Sequence, residues 1–216
     1  MNASLAASGH RLRTEIEVTL RRQRDSQEYV DTLRSCLDEV GRLTLLVEDL
    51  LMLARLDAGQ EHPSGQTVAL NAVVQETLRR VEPSARERQI TLVVNATSPV
   101  DGKVARGPVS LVLANLLDNA LKFSPPGGKI IVDCATDQLD AVLSVADEGP
   151  GILESELPYL FDRFYRGAGA RAGTAEGVGL GLALSQEVIR AYGGHIEAGN
   201  VPGSGAVFSL RVPLAA

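Results

Sequence analysis

Apolar residues recur at steps of three and four over the first 57 residues, which is the spacing of one face of an α-helix. The segment contains no proline, and its one break signal lies at residues 24–26, so the pattern predicts a helical hairpin over residues 1–58. Ser26 is the predicted N-cap of the second helix. The apolar seam of that helix consists of Val30, Leu33, Leu37, Val40, Thr44, Val47, Leu51 and Ala54, widened by Leu43, Leu46, Leu50 and Leu53.

This seam is wider than the first helix of the hairpin can cover. The first helix offers four apolar residues at matching spacing, Leu5, Leu12, Ile16 and Leu20. A stripe of this width requires more than one partner helix, because each partner covers only part of it. The pattern therefore predicts that two copies of the hairpin pair into a dimeric four-helix bundle.

Residues 59–65 contain glycine, proline and serine, and they are predicted to link the hairpin to a second domain at residues 66–216. The predicted strands of this domain are residues 67–70, 90–95, 129–136, 141–146, 195–198 and 206–212. Its predicted helices are residues 71–81, capped by Asn71, residues 108–122 and residues 180–192. Helices grouped against a mixed sheet predict a two-layer α/β sandwich, so the predicted fold class of the chain is α+β.

Composition argues against two classes of function. The 216 residues carry a formal net charge of −6, whereas a nucleic-acid-binding protein presents a basic face. No stretch reaches the roughly 18 consecutive apolar residues of a transmembrane helix, so we expect no membrane contact by this segment. Cys36 and Cys134 lie far apart without the spacing of metal ligands, which indicates reduced, buried residues.

Two asparagines and a lysine share one face of the helix predicted at residues 108–122. They belong to the sequence N-L-L-D-N-A-L-K-F, in which Asn115, Asn119 and Lys122 are four and three positions apart. An amide oxygen suits Mg²⁺, which usually keeps several waters and phosphate oxygens as further ligands. The ammonium of Lys122 can meet phosphate oxygens as a point charge. An amphipathic helix with a polar outer face would carry the same residues, so this motif alone is not specific.

Asp147 ends an alternating apolar run and is followed at once by Glu-Gly-Pro-Gly-Ile. A carboxylate at the end of a strand can accept the exocyclic N–H of adenine, which guanine does not offer at that position. Gly149 and Gly151 would let the backbone approach a flat ring and take positive φ angles. Aspartate and glycine also form ordinary turns, so this motif indicates a nucleotide site only in combination with the other motifs.

A third motif, G-V-G-L-G-L at residues 177–182, leads into the last predicted helix. The backbone N–H groups of Gly177, Gly179 and Gly181, together with the N-terminus of that helix, form a site for an anion such as a triphosphate. The preceding residues, 166–176, are mostly glycine, alanine and arginine and are interpreted as a mobile loop.

The order and spacing of these motifs resemble the N, G1 and G2 boxes of the GHKL ATPase superfamily. F-D-R-F-Y-R at residues 161–166 resembles the F box of its sensor histidine kinase branch. The resemblance implies ATP and Mg²⁺ as ligands. It implies that Asn119 holds Mg²⁺, with Asn115 beside it and Lys122 on the phosphates, and that Asp147 recognises adenine.

In that family the loop before the last glycine motif is the ATP lid. The resemblance makes Arg163 and Arg166 available to the phosphates, with Arg171 as a further candidate. The other nucleotide-binding residues that it implies are Phe123, Gly149, Gly151, Ile152, Gly177, Val178, Gly179, Leu180, Gly181 and Leu182.

Histidine kinases of this type carry S-H-E-L-R-T-P-L on the first bundle helix, and ATP phosphorylates its histidine. The nearest match in this chain is residues 9–16, which keep His10 and Thr14. Arg11 replaces the acidic neighbour that helps to withdraw the histidine proton, and Glu15 replaces the proline. Under this alignment His10 is the phosphoacceptor and its general base is missing.

A second alignment moves the match by seven residues. Residues 12–18 resemble the segment that normally follows the box by one heptad, which would put the box on residues 3–9 and Ala3 in place of the histidine. The phosphoacceptor would then be absent. Seven residues are roughly 10 Å along a helix and preserve the face within about 20°. His10 would therefore lie on the correct face of the helix but about 10 Å from the position of the family's histidine along its axis.

The resemblance implies the core of a two-component sensor histidine kinase, which transfers the γ-phosphoryl group of MgATP to a histidine and then to an aspartate of a response regulator receiver domain. Its partners would be a second copy of the chain and that receiver domain, in the cytoplasmic part of a membrane-anchored parent. The alternative is an ATP-binding dimeric scaffold or response-regulator phosphatase without a working phosphoacceptor. A Ser/Thr kinase of the anti-sigma type is disfavoured, since it would not need the heptad hairpin.

Overall fold

The structure, a computed structural model, describes residues 13–22, 25–57, 66–95, 98–167, 179–203 and 205–215. The chain divides into two compact units, Met1–Ala54 and Arg55–Ala216. Among the described residues, no helix combines the length and the apolar character that a crossing of a lipid bilayer requires.

The described residues of the first unit form two helices, the second of which continues three residues past Ala54. Residues 13–20 form α1, and α2 spans Ser26–Asp57. The side-chain hydroxyls of Thr19 and Thr32 lie 3.5 Å apart, so α1 packs against the first turns of α2. This pairing agrees with the predicted hairpin.

Asp25, and not Ser26, caps α2, which corrects the sequence prediction. Asp25 Oδ1 accepts a hydrogen bond of 2.7 Å from Glu28 N, and Asp25 O accepts one of 3.3 Å from Tyr29 N. A side chain directly before the first helical residue satisfies an N–H group that has no partner within the helix. The carboxylate of Asp25 also interacts favourably with the positive end of the helix dipole, which a serine hydroxyl does less well.

The apolar seam of α2 is exposed in a single chain. Leu33 and Leu37 leave 67% and 70% of their surface accessible to solvent. Further exposed apolar residues of this unit are Ile16, Val18, Leu20, Val30, Val40, Val47 and Leu51. A contiguous apolar surface of this kind marks an interaction site more often than it marks a solvated face.

After the end of α2, the described part of the second unit continues with three strands and two long helices. These are β1 (Val68–Ala69), α3 (Leu70–Glu87), β2 (Thr91–Asn95), β3 (Asp101–Gly102) and α4 (Arg106–Phe123). The rest consists of β4 (Lys129–Asp137), β5 (Asp140–Asp147), a 3₁₀ turn at Leu157–Tyr159, α5 (Gly181–Ala191), β6 (His195–Asn200) and β7 (Ala206–Pro213).

Five strands form one mixed sheet in the order β2-β4-β5-β7-β6. β2 and β4 run parallel, and all other neighbours in this sheet run antiparallel. β1 and β3 form a separate antiparallel pair. The apolar faces of the helices share one core with the sheet, and its members include Val73, Leu113, Leu117, Ile130, Leu143, Ile189 and Leu210. This arrangement of helices on a mixed sheet confirms the predicted α+β fold class.

Two details of α3 differ from the sequence prediction. The helix continues beyond residue 81 and through Pro83, because Ala85 on the following turn is buried in the core. Asn71 lies inside the helix and does not cap it. Its side chain donates a hydrogen bond of 2.8 Å to Ser98 O and accepts one of 2.8 Å from Val100 N. Asn71 thereby fastens α3 to the residues before β3, a strand that the sequence pattern did not predict.

Both cysteines are free thiols. Cys134 is buried, as predicted, and its burial raises the pKa of the thiol to about 11. Cys36 is only partly buried, which corrects the prediction for that residue.

Candidate functional site

Asn119 and Lys122 lie on the C-terminal half of α4, whose opposite face is buried. Leu113 and Leu117 have no exposed surface, because apolar residues recur along this helix every three or four positions. Asn119 and Lys122 are half-buried. Lys122 Nζ pairs with Asp118 Oδ2, four residues earlier. Such a partly exposed ion pair contributes little free energy, so the ammonium can exchange this carboxylate for another anion.

Asn115 joins the first motif to the last one. Its Nδ2 donates hydrogen bonds of 3.2 Å to Gly181 O and of 3.2 Å to Ser185 Oγ, both in the first turns of α5. Ser185 is fully buried, so its hydroxyl gains a partner that water does not supply. The sequence assigned Asn115 to the nucleotide and magnesium site, beside Asn119. The structure adds that its amide holds α4 against the N-terminal turns of α5.

Asp147 is a buried carboxylate at the end of β5. Its Oδ1 accepts hydrogen bonds of 2.7 Å from Gly149 N and of 3.2 Å from Ala206 N. Its backbone oxygen accepts a further bond of 3.1 Å from Gly205 N. Burial raises the pKa of the Asp147 carboxyl, although the N–H groups of Gly149 and Ala206 act in the opposite direction. The carboxylate is thus fixed in position by backbone donors and is largely withdrawn from water.

Two glycines let the backbone pack directly against this carboxylate. A Cβ atom on Gly149 would lie 2.8 Å from Asp147 Oδ1 and 2.8 Å from Phe123 O. A Cβ atom on Gly205 would lie closer than 3.0 Å to Asp147 Oδ1, Asp147 O and Gly149 N. Any larger residue would therefore displace the aspartate. The contact between Gly149 and the carbonyl of Phe123 also brings the second motif against the end of α4.

The backbone at residues 148–152, which we call the glycine loop, is held by a residue that the sequence analysis missed. Asn200 Oδ1 accepts a hydrogen bond of 2.7 Å from Ile152 N, and Asn200 Nδ2 donates one of 2.7 Å to Ile152 O. Within this loop Gly151 has a φ angle of 74°, which glycine adopts without strain. A motif search along the chain cannot find Asn200, because 48 residues separate it from its partner.

The last glycine motif is described from Gly179 onwards, and Gly177 and Val178 lie outside the described residues. Gly179 has a φ angle of 76°, and its carbonyl oxygen accepts a hydrogen bond of 2.8 Å from Phe164 N. Leu180 is buried, whereas Gly181 and Leu182 are half-buried in the first turn of α5. The N–H groups of this turn have no acceptor within the helix, which makes it suitable for an anion.

For the predicted arginines the structure gives their exposure and their segment. Arg163 is exposed and Arg166 is half-buried, on the segment that precedes the last glycine motif. Arg171 lies outside the described residues. Arg163 also borders a cavity of about 340 Å³ between this segment and α5, lined further by Pro158, Phe161, Asp162, Ala183, Gln186, Glu187 and Arg190. The cavity contains none of the residues around Asp147. The site formed by Asp147 and the glycine loop is therefore the better candidate for the predicted ATP.

The two residues predicted to take part in phosphotransfer belong to the first unit. His10 lies outside the described residues. Thr14 lies on α1 and is exposed to solvent.

Comparisons with known proteins agree with this geometry. The family model for the histidine kinase-, DNA gyrase B- and HSP90-like ATPases matches residues 106–216. The sensor protein IrlS of Burkholderia pseudomallei is 34% identical over 202 residues, which cover 94% of this chain and 43% of IrlS. The sensor histidine kinase CusS of Escherichia coli O157:H7 is 36% identical over 187 residues, which cover 85% of this chain and 38% of CusS. The chain therefore spans about two fifths of the length of these relatives.

Solved structures with a similar fold belong to the same family. The Acinetobacter baumannii histidine kinase AdeS matches with a TM-score of 0.79 at 26% identity, over 99% of this chain and 98% of that one. Full-length ShkA in complex with AMPPNP matches with a TM-score of 0.73 at 25% identity, over 100% of this chain and 46% of ShkA. The family model, the relatives and these folds together place the chain in the GHKL ATPase family, as a core of the sensor histidine kinase type.

Proposed function

We propose that the chain is the catalytic core of a two-component sensor histidine kinase, which transfers the γ-phosphoryl group of MgATP to a histidine and then to an aspartate of a response regulator. The observation that carries the proposal is the convergence of the motifs on α4. Gly149 contacts the carbonyl of Phe123 at one end, and Gly181 accepts a hydrogen bond from Asn115 one helical turn before Asn119. The loop around Gly149, the side chains of Asn115 and Asn119, and the first turn of α5 thus lie along a single helix.

The residues fit an adenine nucleotide. Asp147 offers a buried acceptor to the exocyclic amino group, and the glycines beside it let the backbone pack closely enough to hold that carboxylate in place. The first turn of α5 offers N–H groups to the phosphates, and Lys122 offers its ammonium. Asn119 would hold Mg²⁺ through its amide oxygen, with Asn115 beside it. A single side-chain ligand suits Mg²⁺, which takes its other oxygens from phosphates and water and would neutralise charge on the transferring group.

The chemistry requires little of the protein beyond positioning and charge neutralisation. A neutral imidazole nitrogen forms the new bond to the γ-phosphorus while the bond to the bridging oxygen breaks and ADP leaves. Arg163 and Arg166 would stabilise the charge on the γ-phosphoryl oxygens. ShkA, whose fold matches this chain, was solved in complex with AMPPNP, and this complex supports the same ligand class here.

The phosphoacceptor decides between this function and the alternative. Arg11 stands where a general base is expected beside His10, and this observation favours an ATP-binding dimeric scaffold or response-regulator phosphatase. A histidine near neutral pH is already a competent nucleophile, so the loss of the acid slows transfer without forbidding it. A displacement of the histidine along the helix is the greater obstacle, because even about 1 Å of misplacement can cost 10²-fold in rate.

We expect wild-type protein incubated with MgATP to gain the mass of one phosphate group, and His10→Gln to gain none. A phosphohistidine is labile to acid, so the added mass should disappear after acid treatment and persist after treatment with base. Asn119→Ala is the control, because it keeps His10 and lacks the proposed magnesium ligand. Intact-mass spectrometry measures all three proteins.

The second alignment has its own test. Changing Ala3 to His and Ser4 to Glu recreates the family sequence one heptad earlier. If this variant gains acid-labile phosphate while wild type remains unmodified, His10 is not the acceptor. The chain is then an ATP-binding core without one.

We further propose that the chain forms a homodimer through α2 and lies on the cytoplasmic side of a membrane-anchored parent. The exposed seam around Leu33 and Leu37 supports the dimer, and the greater length of IrlS and CusS supports a longer parent protein. The receiver domain of a response regulator is the proposed partner for the second transfer.

Replacing Leu37 and Val47 together by Glu is expected to convert the dimer into a monomer. Both residues are exposed in the single chain and lie on the seam, so dimerisation would bury two unpaired charges, each at a cost of several kcal/mol. Light scattering at about 50 μM, well above a Kd of about 1 μM, measures the change. Gln27→Glu with Ser35→Glu is the matched control, because both positions are exposed and lie outside the seam. A monomeric wild-type chain at this concentration contradicts the proposed bundle.

A further inference from the structure

Asn200 is the last residue of β6, which is an edge strand of the five-stranded sheet. Its side-chain amide forms two hydrogen bonds with the backbone of one residue, since it accepts from Ile152 N and donates to Ile152 O at 2.7 Å each. This pairing copies the way in which a neighbouring strand would bind Ile152. An amide uses its donor and its acceptor at once only where the partner backbone is held at a matching distance.

The same hairpin holds the other end of the glycine loop. Gly205 N donates to Asp147 O at 3.1 Å, and Ala206 N donates to Asp147 Oδ1 at 3.2 Å. Asn200 comes from β6, whereas Ala206 is the first residue of β7 and Gly205 directly precedes it. The β6–β7 hairpin therefore fixes residue 147, directly before the loop, and residue 152, at the end of the loop.

We propose that Asn200 is a positioning residue for adenine nucleotides, which acts by holding the glycine loop in its binding shape. The inference rests on the proposed function, because it assumes that the loop contacts the adenine ring. Without the amide of Asn200, Ile152 would lose both partners and the loop would sample other conformations. Nucleotide binding would then have to order the loop, and this ordering opposes binding.

The expected effect is on affinity and not on folding. Asn200 is exposed, so water replaces its hydrogen bonds in the variant and the free energy of unfolding changes little. We expect the Kd for MgADP to rise about tenfold in Asn200→Ala, which corresponds to about 1.4 kcal/mol. In a kinase assay the KM for ATP should rise while kcat stays near its wild-type value, because the loop does not touch the transferring phosphoryl group.

The experiment compares four versions of the 216-residue chain by calorimetric titration with MgADP and by thermal unfolding without nucleotide. They are wild type, Asn200→Ala, Asn200→Asp and Asn95→Ala. Asn95 is a matched control, because it ends β2, the edge strand on the opposite side of the sheet from β6. Its Nδ2 donates a bond of 2.7 Å to Asp133 Oδ1 on the neighbouring strand β4. Asn200→Asp keeps the acceptor for Ile152 N but places an oxygen against Ile152 O, so we expect it to bind as weakly as Asn200→Ala.

Weaker binding by both Asn200 variants, with unfolding temperatures equal to that of Asn95→Ala, supports the inference. Wild-type affinity in either Asn200 variant overturns it and leaves the proposed function intact. A loss of affinity that accompanies an equal loss of thermal stability also overturns it, because Asn200 would then serve the fold. Absence of MgADP binding by the wild-type chain overturns the proposed function and this inference together.

Discussion

Asp147→Asn is expected to weaken binding of MgADP by about ten- to hundredfold, which corresponds to about 1 to 3 kcal/mol for a donor left without its acceptor. A carboxylate accepts hydrogen bonds at both oxygens, whereas a carboxamide accepts at only one. In the variant, either the N–H groups of Gly149 and Ala206 or the adenine amino group therefore meets an NH₂ group. Calorimetric titration of the 216-residue chain measures the change.

The same substitution is expected to leave the nucleotide-free protein at least as stable as wild type at neutral pH. Burial raises the pKa of Asp147 in the folded state, so folding favours the neutral carboxyl. This contribution to the free energy of unfolding is fully present below the unfolded-state pKa of about 3.9, and it is lost as pH rises through the folded-state pKa. Asparagine does not titrate, so the variant should gain stability relative to wild type between about pH 4 and pH 7.

Urea denaturation at about pH 4 and about pH 7 tests this expectation. Asp162→Asn is the control for an exposed carboxylate. Unchanged affinity for MgADP in Asp147→Asn would remove the assignment of Asp147 to adenine. Loss of affinity together with a loss of stability at neutral pH would instead give Asp147 a structural role in the hairpin of β6 and β7.

Gly205→Ala is expected to abolish nucleotide binding and to lower the free energy of unfolding by about 1 to 3 kcal/mol, the usual cost of forcing an added methyl group into a filled space. Its Cβ would lie closer than 3.0 Å to both oxygens of Asp147 that accept hydrogen bonds from this hairpin, and to Gly149 N. These atoms are backbone atoms or a carboxylate held by backbone donors, so none can move without breaking the site.

Gly199→Ala is the matched control on the same hairpin. Its added Cβ would meet only Val207 Cγ1 at 3.9 Å, which is an ordinary contact. Urea denaturation and MgADP titration of the two variants separate the effect of the clash from that of adding a methyl group to a strand. Normal nucleotide binding by Gly205→Ala would mean that Asp147 can shift without loss, and the rigid carboxylate would no longer explain recognition.

The sequence predicted the parts of the site that depend on neighbouring residues. Asn119 and Lys122 share a helical face because of their spacing, and Asp147 ends a strand because of the alternation before it. The pattern could not predict contacts between distant residues. Asn115 meets Ser185 and Asn200 meets Ile152 across 70 and 48 positions of the chain, so only the sheet order and helix packing bring them together.

Helix ends illustrate the same limit on a smaller scale. Asn71 and Ser26 are residues that commonly cap helices, and both were predicted as caps. Asp25 competes with Ser26 for the first position, and the partners of Asn71 lie 27 and 29 residues away. Local propensity thus identified the region of each helix start, whereas the tertiary contacts determined which side chain performs which role.

The hydrogen bond from Phe164 N to Gly179 O ties together the two ends of the segment 165–178. Because this hydrogen bond already holds the two ends together, doubling the number of residues between them would add only about 0.6 kcal/mol of loop-closure free energy. Lengthening this segment is therefore expected to change the free energy of unfolding little. Any effect of such a change should fall on nucleotide binding, because the segment contains Arg166, while the sheet and α4 keep their sequence.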